Sequence, residues 1–157
     1  MRQPPPDPAT AIRPVGADDR PAWDALWRAN CRHFQAPPMT PALLDALWDR
    51  ILDPGFPMRA WLAWEGGVAQ GLAHVILRPH SFSLRHIGWI EDLWVAPEAR
   101  GRGLGRALIA ALAEVGRAEG WRRLEWETEA ANAGARRLYD RIAEPDPHPR
   151  YRINLNA

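Results

Sequence analysis

One segment constrains this chain more than any other. His86 to Val95 is an apolar, extended run, and Pro97 stops it. Then comes the turn Arg100-Gly101-Arg102-Gly103-Leu104-Gly105-Arg106. Leu104, Leu108, Leu112 and Val115 follow at helical spacing, closed near Gly120. A strand that turns through glycines into a helix brings backbone N–H groups and the positive end of a helix dipole to one point. That is an anion site, and a pyrophosphate is its natural guest.

Other phosphate-binding patterns are excluded residue by residue. All 20 basic residues are Arg, so the P-loop lysine is absent, as are Schiff-base and lysine-nucleophile chemistry. A dinucleotide fingerprint on Gly101 and Gly103 demands glycine at position 106, where Arg106 stands. No serine lies in a Gly-x-Ser-x-Gly elbow.

Around this segment the chain predicts α+β structure, with a mixed, twisted sheet of six to seven strands and helices on both faces. Thr10 to Val15 predicts a short strand. Trp23, Leu26, Trp27, Asn30 and Phe34 predict a helix, broken by Pro37-Pro38. Thr40 is an N-cap with Pro41 at the first helical position, and Leu43, Leu44, Leu47, Trp48 and Ile51 form the apolar face. Arg59–Glu65, Gly66-Gly67 and Val68–Leu77 read as a hairpin. Trp121 to Glu127 reads as a strand. Asn132 caps a last helix bearing Ala135, Leu138, Tyr139 and Ile142. Tyr151 to Leu155 alternates as a final strand.

Residues 10–157 are expected to form a single domain behind a flexible arm, residues 1–9. That arm is Pro-rich without an apolar core, so no signal peptide is expected. With 46% apolar and 25% charged residues and a net charge of +1, the chain is expected to bind neither nucleic acid nor membrane. A lone cysteine, Cys31, excludes an internal disulfide and fits a cytoplasmic location. It is expected to be packed rather than nucleophilic. The five histidines show no paired ligand spacing, so no metal is expected. The nine tryptophans are read as core and cleft filling.

The spacing Arg100-x-x-Gly103-x-Gly105 resembles the acyl-CoA signature of the GNAT N-acetyltransferase superfamily. Ile90-Glu91-Asp92-Leu93-Trp94-Val95 is similar to that family's fourth strand, and Asn132 with Ala135-x-x-Leu138-Tyr139 to its later asparagine-and-tyrosine helix. The Glu91-Asp92 pair and Trp126-x-Thr128 resemble the branch of diamine and fungal histone or polyamine acetyltransferases. Ile142-Ala143-Glu144-Pro145 departs from the family's Gly-Phe pair, and Glu129-Ala130 from the Gln-Glu of that branch.

The resemblance implies a GNAT-like fold and acetyl transfer from acetyl-CoA, as co-substrate, to a primary amine of a small cationic molecule or a protein. Attack is expected to be direct, in a ternary complex. Arg100, Gly101, Arg102, Gly103, Leu104, Gly105 and Arg106 would hold the pyrophosphate. Main-chain atoms of Leu93, Trp94 and Val95 would pair with the pantetheine, the Val95 N–H facing the thioester oxygen. Asn132 would contact CoA, and Tyr139 would be the general acid near the sulfur. Glu91 is the expected base. Strict alternation puts Ile87, Trp89, Glu91, Leu93 and Val95 on one face, and burial there would raise its pKa. Asp92, the second choice, points the other way unless a bulge intervenes. Glu91, Asp92, Glu127 and Glu129 are expected to cluster near the cleft and favour a cationic acceptor. The family also implies a homodimer. The rival function is a non-catalytic acyl-CoA-binding or sensing domain, which has no need of Tyr139 and Glu91.

Overall fold

The computed structural model describes residues 10–155. The expected arm, residues 1–9, lies outside them. The described chain divides after Trp126 into two compact units.

The first unit carries one five-stranded sheet in the order β1-β2-β3-β4-β5. The strands are β1 (Ala11–Pro14), β2 (Met58–Glu65), β3 (Val68–Pro79), β4 (His86–Val95) and β5 (Arg123–Glu125). β1 to β4 pair antiparallel, and β5 joins β4 in parallel. The sheet is thus mixed, as expected, but has five strands rather than six or seven. The predicted strand Tyr151–Leu155 is not one. Tyr151, Ile153 and Leu155 are about nine-tenths exposed, and the segment pairs with no strand among the described residues. Alternation creates a face, but a strand also needs a neighbour's N–H and C=O groups.

Helices cover both faces of the sheet. α1 (Arg20–His33) and α2 (Pro41–Leu52) lie on one, with the Trp23 and Trp48 rings 4.9 Å apart. α2 begins as its sequence dictates: the Thr40 hydroxyl accepts from the Leu43 N–H at 3.2 Å, and Pro41 needs no partner. α3 (Leu104–Ala118) covers the other face. Gly71 of β3 admits it closely; a Cβ there would stand 3.0 Å from a Leu108 methyl. Trp121 seats the far end of α3, its ring filling the space that Cβ atoms on Gly88 and Gly116 would occupy. Because side chains alternate along β3, Gly71 and Ala73 face α3, while Leu72 and His74 face α1.

The second unit holds α4 (Ala133–Ile142). The Asn132 side chain caps it, accepting from the Ala135 N–H at 3.2 Å. Glu127 is ion-paired with Arg150 in this unit. Among the described residues, no helix is long and apolar enough to cross a membrane.

Candidate active site

β4 is paired on one side along its whole length and on the other only near its start. β3 follows it from His86 to Val95, whereas β5 meets only Ile87, Gly88 and Trp89. Past Trp89 the second edge has no strand partner among the described residues. The Ala96 N–H donates to the Gln70 carbonyl at 2.9 Å, toward β3. By alternation, the main-chain groups of Leu93 and Val95 point to the open edge. An extended ligand can add there as a strand does.

This open edge leads directly into the glycine turn. A single 3-10 turn, Pro97–Ala99, separates Val95 from Arg100. Gly101 and Gly103 both have positive φ, +77° and +82°, and Gly103 is the N-cap of α3. The φ values explain why glycine stands at both positions. α3 starts with no side-chain cap and no acidic residue in its first turn. Instead Arg106 sits there, exposed, with its charge set against the positive end of the dipole. An anion bound to the first-turn N–H groups reverses that repulsion.

The three arginines of the turn differ. The Arg100 Nε donates to the Val95 carbonyl at 3.0 Å, and its guanidinium lies 4.7 Å from the Trp94 ring centre. Arg102 reaches Glu65 at 2.9 Å. Arg106 has no ion-pair partner among the described residues. Arg100 and Arg102 therefore have structural work of their own, and Arg106 is the side chain most available to a phosphate.

The expected alternation of β4 fails at Glu91. His74 pairs with Asp92 and Val75 with Ile90, so Glu91 is the extra residue of a β-bulge. Trp89, Asp92 and Trp94 then share the α1 face, while Leu93 and Val95 turn to the α3 face. Glu91 is exposed rather than enclosed in an apolar stripe, and its carboxylate accepts from the Trp89 indole N–H at 2.7 Å. Asp92 is half-buried, its Oδ2 2.9 Å from Nδ1 of His74. Of the four acids expected to cluster, Glu91 and Asp92 adjoin on this bulge, and Glu127 and Glu129 belong to the second unit.

Cys31 is half-buried in α1, and burial together with the Asp92 charge raises its pKa. That keeps it a thiol, as expected of a packed cysteine. In the second unit, Tyr139 is half-buried on α4, and burial pushes its phenol above the usual tyrosine value. Such a phenol remains a proton donor through the neutral range.

A model of the acetyltransferase (GNAT) family matches residues 22–143. The chain belongs to the GNAT family. It is an acetyl-CoA-dependent acetyltransferase. It is 28% identical, over 91% of its length and 89% of the relative's, to the D-amino-acid N-acetyltransferase HPA3 of Saccharomyces cerevisiae. With a mycothiol acetyltransferase of Beutenbergia cavernae it shares 39% identity over 76% of its own length, but only 39% of that longer protein. Its fold matches that of AAC(6')-Iy, solved with a bisubstrate analogue of CoA and acetylneamine, at a TM-score of 0.78 and 20% identity. That match covers 94% of this chain and 99% of the other. These relatives do not single out the diamine or polyamine branch.

The sequence reading missed His74 in this GNAT chain. It is a lone histidine in an apolar strand, and only the pairing of β3 with β4 brings it to Asp92. Trp23 is a core residue, as expected of the tryptophans, and its indole N–H also donates to His74 Nε2 at 2.8 Å.

Proposed function

We propose that this enzyme transfers acetyl from acetyl-CoA directly to a cationic primary amine, with both substrates bound along the open edge of β4. The observation that carries this reading is the continuity of that edge with the glycine turn and the N-terminus of α3. One extended ligand with a pyrophosphate at one end fits both.

Each residue then has a task. The amides from Gly101 to Arg106 hold the pyrophosphate, with Arg106 adding charge. Leu93, Trp94 and Val95 supply the strand against which the pantetheine lies. The Val95 N–H receives the developing oxyanion. Asn132 contacts CoA while capping α4, and Tyr139 is the general acid. The Glu91 and Asp92 carboxylates attract the acceptor's ammonium. The names of the relatives, a D-amino-acid and a mycothiol acetyltransferase among them, support a small amine as acceptor.

The protons balance as follows. The acceptor arrives as R–NH3+, and one proton passes to Asp92 and on to solvent. The nitrogen lone pair attacks the thioester carbon, and the carbonyl electrons move to oxygen. Collapse breaks the C–S bond, and the leaving thiolate takes the Tyr139 proton. The surplus proton on nitrogen restores the phenol. The third proton stays on the amide.

The two carboxylates separate in kinetics. Glu91→Gln keeps the shape, and an amide oxygen still accepts from Trp89. Glu91 is exposed, so we expect a higher KM for a cationic amine and little change in kcat, the signature of lost uniform binding. Were Glu91 the base, kcat would fall, most at low pH where few amines are neutral, and recover as pH rises. A pH profile of both constants decides. For direct attack itself, the intact mass of enzyme mixed with acetyl-CoA alone should stay unchanged; a covalent acetyl adduct on the reaction timescale would overturn it.

A further inference from the structure

His74 is wholly buried, in the middle of β3, and both its ring nitrogens are engaged. The Trp23 indole N–H donates to Nε2 at 2.8 Å. An indole can only donate, so Nε2 carries a lone pair and the ring proton sits on Nδ1. Nδ1 faces Asp92 Oδ2 at 2.9 Å, so the histidine donates to the carboxylate. Trp23 is itself wholly buried against Trp48, and Trp27 also lies against the imidazole, ring centres 4.8 Å apart. A second proton on the ring would point at the indole N–H, a donor facing a donor. The ring is thus fixed in one neutral tautomer.

A neutral donor does something that an arginine cannot. An arginine on Asp92 would orient the carboxylate but cancel its charge. Neutral His74 occupies Oδ2 and leaves the full negative charge for a cation. The bulge at Glu91 is what turns Asp92 to this face, directly across from His74.

We propose that His74, held in a single neutral tautomer by Trp23, is a positioning residue that orients Asp92 to receive the acceptor's ammonium and its proton. This rests on the reading of the β4 edge as the site of acetyl transfer. The groups around the pair are Asp92 on β4, Cys31 on α1 with Arg28 and Arg32 near its thiol, and Arg20 against the Trp23 ring. From β2, only uncharged Ala60 lies opposite His74.

The test is a double-mutant cycle in kcat/KM for a cationic amine, with acetyl-CoA affinity measured alongside. Asp92→Asn should lower kcat/KM about 100-fold or more, as loss of a proton-transfer group does. His74→Leu should lower it about 10- to 100-fold, because a misoriented reacting group carries a penalty of that order. His74→Asn, which offers an amide N–H near the Nδ1 position, should restore most of the rate. In the Asp92→Asn background, His74→Leu should cost almost nothing further. Acetyl-CoA affinity should hold throughout. Trp23→Phe supplies a second handle should His74→Leu fail to fold. It removes the donor that fixes the tautomer, so Nδ1 no longer must donate to Asp92, and kcat/KM for the cationic amine should fall toward that of His74→Leu, with no further loss in the Asp92→Asn background. Equal losses from His74→Leu in both backgrounds, or no rescue by asparagine and no loss in Trp23→Phe, would overturn the proposal. Wild-type enzyme inactive on every amine would instead count against the acetyl-transfer reading itself.

Discussion

Tyr139→Phe is expected to lower kcat by about 100- to 10,000-fold, the worth of general acid–base assistance, while acetyl-CoA affinity changes little. The variant removes one hydroxyl and almost no volume, so folding should survive. The direction of the phenol's pKa adds a second signature. Burial raises it above about 10, so the protonated, donating form persists through the neutral range. The wild-type kcat should therefore hold to strongly alkaline pH before Tyr139 deprotonates, and the phenylalanine variant should show no such limb. Steady-state kinetics at saturating substrates, with calorimetric titration of acetyl-CoA, checks both. A loss well under tenfold would assign Tyr139 to packing.

Arg106→Glu is expected to move stability and affinity in opposite directions. An acid in the first turn of α3 suits the helix dipole, worth about 0.3–1 kcal/mol, so Tm should hold or rise. The same change reverses a charge beside the pyrophosphate, and acetyl-CoA affinity should fall about ten- to hundredfold at low salt. High salt should narrow the difference. Gly103→Val tests the same turn less cleanly. Gly103 is buried with φ of +82°, so a β-branched residue strains the backbone as well as crowding the anion. Calorimetric titration and thermal melting on Arg106→Glu suffice. Unchanged affinity in the folded variant would remove Arg106 from the phosphate site.

Much of this was legible from residue order because the signals are local. The Thr40–Pro41 start of α2, the Gly66-Gly67 hairpin and the strand–glycine–helix run into α3 depend on neighbours a few residues away. The bulge at Glu91 is different. Whether β4 carries an extra residue is decided by its pairing with β3, and one shifted residue exchanges the faces of everything beyond it. Strict alternation puts Glu91 on the apolar face, and it takes the bulge, foreseen only as an alternative, to turn Asp92 to the face of His74. His74 escaped notice for the same reason: a lone histidine among apolar neighbours reads as core until its partners, 51 residues before it and 18 after, are known. Tyr151–Leu155 is the opposite case: it alternates as a strand does, but among the described residues it pairs with none.

The central claim is that acetyl passes from acetyl-CoA to a cationic amine at the open edge of β4. Thiol release from acetyl-CoA, followed across a panel of polyamines, aminoglycosides, basic amino acids and a lysine peptide, tests it most directly. The account predicts release with at least one cationic amine, formation of the matching acetyl-amide, and loss of both in Tyr139→Phe. Tight acetyl-CoA binding with no release on any amine would contradict it and favour a sensing domain.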